Sequence, residues 1–189
     1  IMKTLITALL FFGLMANAAP EKFAIDGSHS SLVFKINHGG FSNVYGMFSD
    51  ISGDFTLDDA KQDANALNVT VKTASVNTMS AKRDDHLRKP DFFDAVQYPT
   101  MTFKSLSVKK VDAKNYEVKG SLTLHGVTKS ISFKLVRFRT GEDPMKKIKT
   151  GGEAKFTVKR SDFGMSYMVG DDKVGDEVEI IVSIEGAKI

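Results

Sequence analysis

The chain has 189 residues, with 26 Lys and Arg against 23 Asp and Glu, a formal charge of +3, and no cysteine. So small a charge excess argues against nucleic acid as the main partner, and the missing thiols remove disulfides, thiol catalysis and thiolate metal sites. The length suits one domain whose core is large enough to stand without cross-links.

The first residues read as an export signal. Met2-Lys3-Thr4 carries one positive charge, Leu5 to Leu14 is an almost unbroken apolar run, and Ala16-Asn17-Ala18 fits the small-x-small pattern of a signal peptidase site. The run is shorter than the roughly 20 apolar residues that span a bilayer. A core helix there would alternate apolar and polar positions, and this segment does not. The expectation is therefore a signal peptide over 1–18, cleaved after Ala18, followed by a single domain over 19–189 that works in a bacterial periplasm.

Strand-like alternation then runs through most of the chain. Leu32, Phe34, Ile36 and His38 share one face of a strand, and Val33, Lys35 and Asn37 the other. Tyr116, Val118, Gly120, Leu122 and Leu124 alternate with polar neighbours. So do Ile131, Phe133 and Leu135, then Phe156 and Val158, then Val178, Ile180, Val182 and Ile184. One dry face and one wet face is the mark of antiparallel sheets. The pattern predicts strands near 22–27, 30–38, 43–57, 66–76, 100–111, 115–125, 128–139 and 152–160, with 176–187 as a ninth and a break in 43–57 at Ser49-Asp50. His125-Gly126-Val127-Thr128 reads as a tight hairpin and 141–151 as a mobile basic loop. Up-and-down order favours a barrel, which also removes sheet edges.

The main interruption is 78–97. Ser80 is placed to cap a short helix, with Asp84 and Asp85 at its positive end, and Pro90 stops it by Lys89. Asp91 would cap a further turn carrying Phe92 and Phe93. Arg83, His86 and Leu87 share one face of the helix. That face could greet a polar head group. It could instead pin the helix to the barrel, Arg83 to a carboxylate and His86 to backbone.

Fourteen phenylalanines and no tryptophan are the next clue. An eight-stranded barrel can be filled by its own side chains or can hold one small ligand, and alternation does not separate the two. A long isoprenoid or acyl chain offers roughly 600 Å² of apolar surface, on the order of 15 kcal/mol gross at about 25 cal/mol per Å². Tight binding without charged contacts is thus affordable after ordering costs. The four histidines show no helical metal-pair spacing, so no metal is expected. No G-x-S-x-G elbow is present, Ser28-His29-Ser30 places neighbours on opposite faces, and no catalytic residue is assigned.

The chain resembles the YceI family of mostly periplasmic, polyisoprenoid-binding bacterial proteins across about 22–187. The resemblance rests on Ile25-Asp26 with His29-Ser30, Phe34 with His38, and Val44 with Gly46 and Phe48. Further along it rests on Arg83-Asp84 with His86-Leu87, on Phe92-Phe93, and on Tyr98-Pro99 with Phe103. Gly120 with Leu122-Thr123, His125-Gly126-Val127-Thr128, and Arg160-Ser161-Asp162-Phe163-Gly164 complete it. It implies an all-β, lipocalin-like, extended antiparallel eight-stranded barrel with a short helical segment near 80–97. It also implies a long amphiphile threaded through that barrel: an isoprenoid quinone, a polyprenyl phosphate or a fatty-acid derivative. Homodimers and b-type cytochrome partners are further implications, and no catalytic cofactor is.

On this reading Phe34, Phe48, Phe103, Leu122, Leu124, Phe133, Phe156 and Phe163 line a continuous tunnel, Phe92 and Phe93 close its mouth, and Arg83, His86 and Arg160 meet the head group. The protein would transport, store or, in a stress response, sequester the lipid. The rival is an enzyme acting on a lipid head group through Arg83, Asp84 and His86.

Overall fold

The computed structural model describes residues 20–58 and 61–189; the expected signal peptide lies outside the described residues. Eleven strands form one sheet. They are β1 (Glu21–Ile25), β2 (Ser31–His38), β3 (Ser42–Phe48), β4 (Ile51–Leu57), β5 (Ala66–Lys72), β6 (Val76–Asn77), β7 (Thr100–Lys110), β8 (Asn115–Leu124), β9 (Val127–Glu142), β10 (Ile148–Lys159) and β11 (Val174–Lys188). One short helix, α1 (Ala81–Leu87), stands between β6 and β7.

The eleven strands make eight staves. β11 pairs through Gly186–Lys188 with β1 and through its earlier residues with β2, so β1 and β2 are two halves of one bent stave. β3 and β4 form a second, paired to β2 and β1 in turn, and β5 and β6 a third. The remaining staves, β7 to β11, follow in hairpin order, and the β1–β11 pairing closes the ring. The expected eight-stranded antiparallel barrel is thus present. It holds eight staves and not nine because 22–27 and 30–38 belong to one.

The three bends lie side by side. Ser49 and Asp50 donate backbone N–H groups to Ser75, Lys72 donates to Asp50, and Gly27 sits against the Ile51 carbonyl where a Cβ would lie 2.6 Å away. The break at Ser49-Asp50 was legible. The run 66–76 breaks too, because Thr73–Ser75 turns in a 3₁₀ segment. The segment 141–151 is not a loop throughout. Strand pairing carries β9 to Glu142 and resumes at Ile148, and only 143–147 turns. Asp143 makes that turn by accepting from the N–H groups of Met145 and Lys147, a short-range solution that basic composition did not reveal.

Asp26 fixes the bend of the first stave. Its carboxylate accepts from Ser28 N at 3.0 Å, from the Ser28 hydroxyl, and from His29 Nδ1 at 2.9 Å. The Ser28 hydroxyl first, and His29 after it, hold this carboxyl well below the usual carboxylate range. A depressed carboxylate stabilises the fold above its unfolded value near 4, and that contribution drains away as pH falls further. The expected result is that Asp26→Asn melts below wild type at pH 7, and that the difference narrows as pH drops from about 5 to about 2. A gap in melting temperature that stays constant over this range would contradict it.

Candidate functional site

Up-and-down order sends four connections to one end of the barrel: 39–41, 78–99, 125–126 and 160–173. Near this end the wall has a gap, because β6 pairs with β3 alone while β7 pairs with β5 no further than Thr100–Lys72. The 78–99 segment covers the gap. Arg88 donates from Nε to the Ala74 carbonyl and from Nη2 to the Val76 carbonyl, serving the 3₁₀ turn and the edge of β6 that β7 leaves uncovered. Phe93 packs edge-on against Phe48 with ring centres 5.2 Å apart.

Behind this cover lies a cavity of about 300 Å³. From the mouth inward its wall runs His38, Ile36, Phe34 and Leu32 on β2, Val174, Val178 and Ile180 on β11, and Arg160 just past β10 followed by Val158 and Phe156 on it. Its polar lining residues, Asn37, His38, Thr78, Arg83, His86, Arg160 and Tyr167, belong to the outer half; Leu32, Met101, Leu122 and Phe156 close the inner end with apolar atoms. A long apolar pocket with polar groups gathered at one end suits an amphiphile whose tail enters first.

Three neighbouring spaces occupy the interior, and Leu32, Met101, Leu122 and Phe156 line both the outer chamber and the next. Below the outer chamber are a middle space of about 60 Å³ and an inner one of about 50 Å³. Phe34, Phe48, Phe92, Phe93, Leu122, Leu124 and Phe156 line the outer chamber. Phe103 and Phe133 border only the middle space, where Phe133 stacks on Phe156 at 4.9 Å and 15° and meets Phe103 at 5.2 Å. The three rings touch along one side of the barrel, from β7 past Gly120 on β8 to β9 and β10. Phe163 lines none of the three spaces. It is 2% exposed, and its carbonyl accepts from His125 Nδ1 at 3.2 Å, tying the 160–164 turn to the β8–β9 hairpin. The far end is shut by Tyr116, whose hydroxyl accepts from Arg137 at 3.2 Å, and by Phe23 stacked on Phe55 at 5.1 Å.

The three head-group residues all reach the outer chamber, but each has a structural partner. Arg83 donates from Nε to the Thr78 hydroxyl at 2.7 Å and from Nη2 to the Thr78 carbonyl at 2.8 Å, and so does not need the carboxylate weighed as its anchor. Asp84 provides the anchor: buried, it accepts from both Thr78 N and the Thr78 hydroxyl. This link also replaces the Ser80 side-chain cap, which does not form. His86 bonds the Asp91 carboxylate at 2.9 Å and not backbone. Its ring meets Phe92 at 5.0 Å and Tyr167 at 5.7 Å, and Phe92 meets Tyr167 at 5.5 Å, so three rings from the 78–99 and 160–173 connections meet at the mouth.

Arg160 departs furthest from its expected role. It is 4% exposed and donates to four backbone carbonyls: Gly175 from Nε, Met165 and Tyr167 from Nη1, and Val174 from Nη2. Its fork closes the 160–175 loop on itself, so the charge serves the rim before any ligand.

Sequence reasoning missed Ile36, Met101, Val178 and Ile180, whose alternation marked them as inward, and Met165 and Tyr167, which lie in a loop with no periodicity. Away from the mouth, Asp26, His29 and Glu185 converge. Lys149 Nζ stands 2.8 Å from Glu185, 3.7 Å from Asp26 and 3.6 Å from Asp143, so an ammonium already answers this acidic group.

A profile of the YceI-like domain matches residues 23–186. The chain belongs to the YceI-like family. Protein YceI of Escherichia coli is 39% identical over 181 residues, covering 96% of this chain and 93% of that protein. The crystal structure of the Campylobacter jejuni YCEI protein superposes with a TM-score of 0.73 at 34% identity, covering 82% of this chain and 91% of that one. A polyisoprenoid binding domain from Saccharophagus degradans, 16% identical, shares the fold with a TM-score of 0.67 over 88% of this chain and 98% of its own. Family membership accounts for the order of motifs along the chain.

Proposed function

We propose that this YceI-like barrel carries a long-chain amphiphile, an isoprenoid quinone, polyprenyl phosphate or fatty-acid derivative, for transport, storage or sequestration in the periplasm. The observation that carries the reading is the outer chamber: about 300 Å³, apolar at depth and polar only at its mouth. At roughly 30 Å³ for each water-sized group, it takes about ten methylenes. Each buried methylene contributes about 0.8 kcal/mol, so the gross gain is on the order of 8 kcal/mol before ordering costs. The fold shared with a polyisoprenoid binding domain agrees with this chemistry, and the signal-like segment over 1–18 supports export.

The rival enzyme reading finds less support. Asp84 is held by Thr78 and does not border the chamber, and His86 is engaged by Asp91. Native mass spectrometry of protein purified from a bacterial host tests the proposal. The expected spectrum carries a lipid adduct at one per barrel, restored in delipidated protein by geranylgeraniol or palmitate. No adduct, together with no uptake of either probe, would overturn it.

A further inference from the structure

The ring stack on the wall formed by β7 to β10 lies where the outer chamber meets the middle space. Phe156 borders both the outer chamber and the middle space, as do Leu32, Met101 and Leu122. Phe133 holds Phe156 from behind, nearly parallel to it, and Phe103 holds Phe133 in turn. Phe103 rests on Gly120, where a Cβ would lie 2.4 Å from its Cζ, so the wall is already cut back to seat that ring. The stack therefore has a firm side at Phe103 and a movable side at Phe156, which is only partly buried. Met101 beside it is unbranched and adapts readily to a new occupant.

We infer that the Phe103–Phe133–Phe156 stack is a length gate between a standing chamber for about ten carbons and an inner extension that only longer chains open. The inference rests on the carrier reading and adds to it a substrate class. Chains that end above the stack are accommodated at rest. A chain of fifteen or more carbons must turn Phe156 off Phe133 before its tail meets the apolar walls of the middle and inner spaces. Those spaces hold about two methylenes each at roughly 30 Å³ apiece, so a threaded tail gains little until the rings have moved. Affinity should therefore rise with length up to about ten carbons, level off, and climb again only for chains long enough to fill the opened barrel.

The test is a ladder of isoprenoid alcohols with ten, fifteen, twenty and forty carbons, titrated by competition native mass spectrometry into delipidated wild type and into Phe133→Leu. Leucine keeps the site apolar and branched while removing the stacking surface. Phe156→Leu serves as a second variant acting from the outer side. Wild type is expected to gain less than tenfold between ten and fifteen carbons, and either variant to gain at least tenfold more than wild type over the same step. Parallel length profiles in wild type and both variants would overturn the gate while leaving the carrier reading intact. No binding at any length in any of the three proteins would overturn the carrier reading, and the gate with it.

Discussion

Replacing Arg160 with alanine is expected to destabilise the protein by about 3–5 kcal/mol, the range seen when a buried charged group with committed partners is removed. The side chain donates to the carbonyls of Met165, Tyr167, Val174 and Gly175 from three nitrogens. Hydrogen bonds from a charged donor contribute about 1.5–3 kcal/mol each, and buried carbonyls left without donors add their own cost. These contributions are not additive, because water can enter at the mouth and serve part of the set. Lysine should recover less than half of the loss. Its three donors radiate from one atom and cannot reach four carbonyls spread along a loop. Urea unfolding followed by circular dichroism measures the effect as a lower midpoint at unchanged slope. The 165–175 segment should become the earliest site of proteolytic nicking. A variant with wild-type midpoint and wild-type protection of this loop would remove Arg160 from its assigned place.

This residue also shows where sequence reading reached its limit. An arginine followed by Ser-Asp-Phe-Gly just past a strand was visible, and so was its nearness to a barrel mouth. Its partners are carbonyls, which every residue carries, so no pattern of side chains announced them. Phe163 was misplaced for a related reason. A phenylalanine after a strand end has no alternation to orient it, and the 3₁₀ turn over Arg160–Phe163 points it into packing under the hairpin. Phe34, Phe48, Leu122, Leu124 and Phe156 face the chamber because period-two alternation fixes the face of a residue once one neighbour is known. Alternation does not fix height, however. That Phe103 reaches Phe133 past Gly120, and that Phe133 stacks on Phe156, depends on how β7, β8, β9 and β10 pair, which sequence period does not set. The bend shared by the first three staves was half legible. Ser49-Asp50 broke the pattern openly, while Thr73–Ser75 lay hidden within a run of mixed polar and apolar residues that continues to Val76.

Filling the chamber from its own wall should separate binding from folding. Val158 sits on β10 between Phe156 and Arg160, is 9% exposed and lines the outer chamber. Val158→Trp would project an indole into a space of about 300 Å³ that can receive it, so the usual penalty for overpacking a full core, about 1–3 kcal/mol, should be largely avoided. The tail would be excluded from a large part of the chamber. Losing four or five methylene sites at about 0.8 kcal/mol each removes 3–4 kcal/mol of binding, or at least a hundredfold in affinity. Thr157→Trp is the matched control: the adjacent residue is exposed and lies on the opposite face of the same strand. The expected outcome is a Val158→Trp protein that melts within a few degrees of wild type and carries no lipid by native mass spectrometry, beside a Thr157→Trp protein that keeps its lipid. A folded Val158→Trp protein with undiminished lipid would place the ligand elsewhere, since the indole takes sites that the tail would otherwise fill.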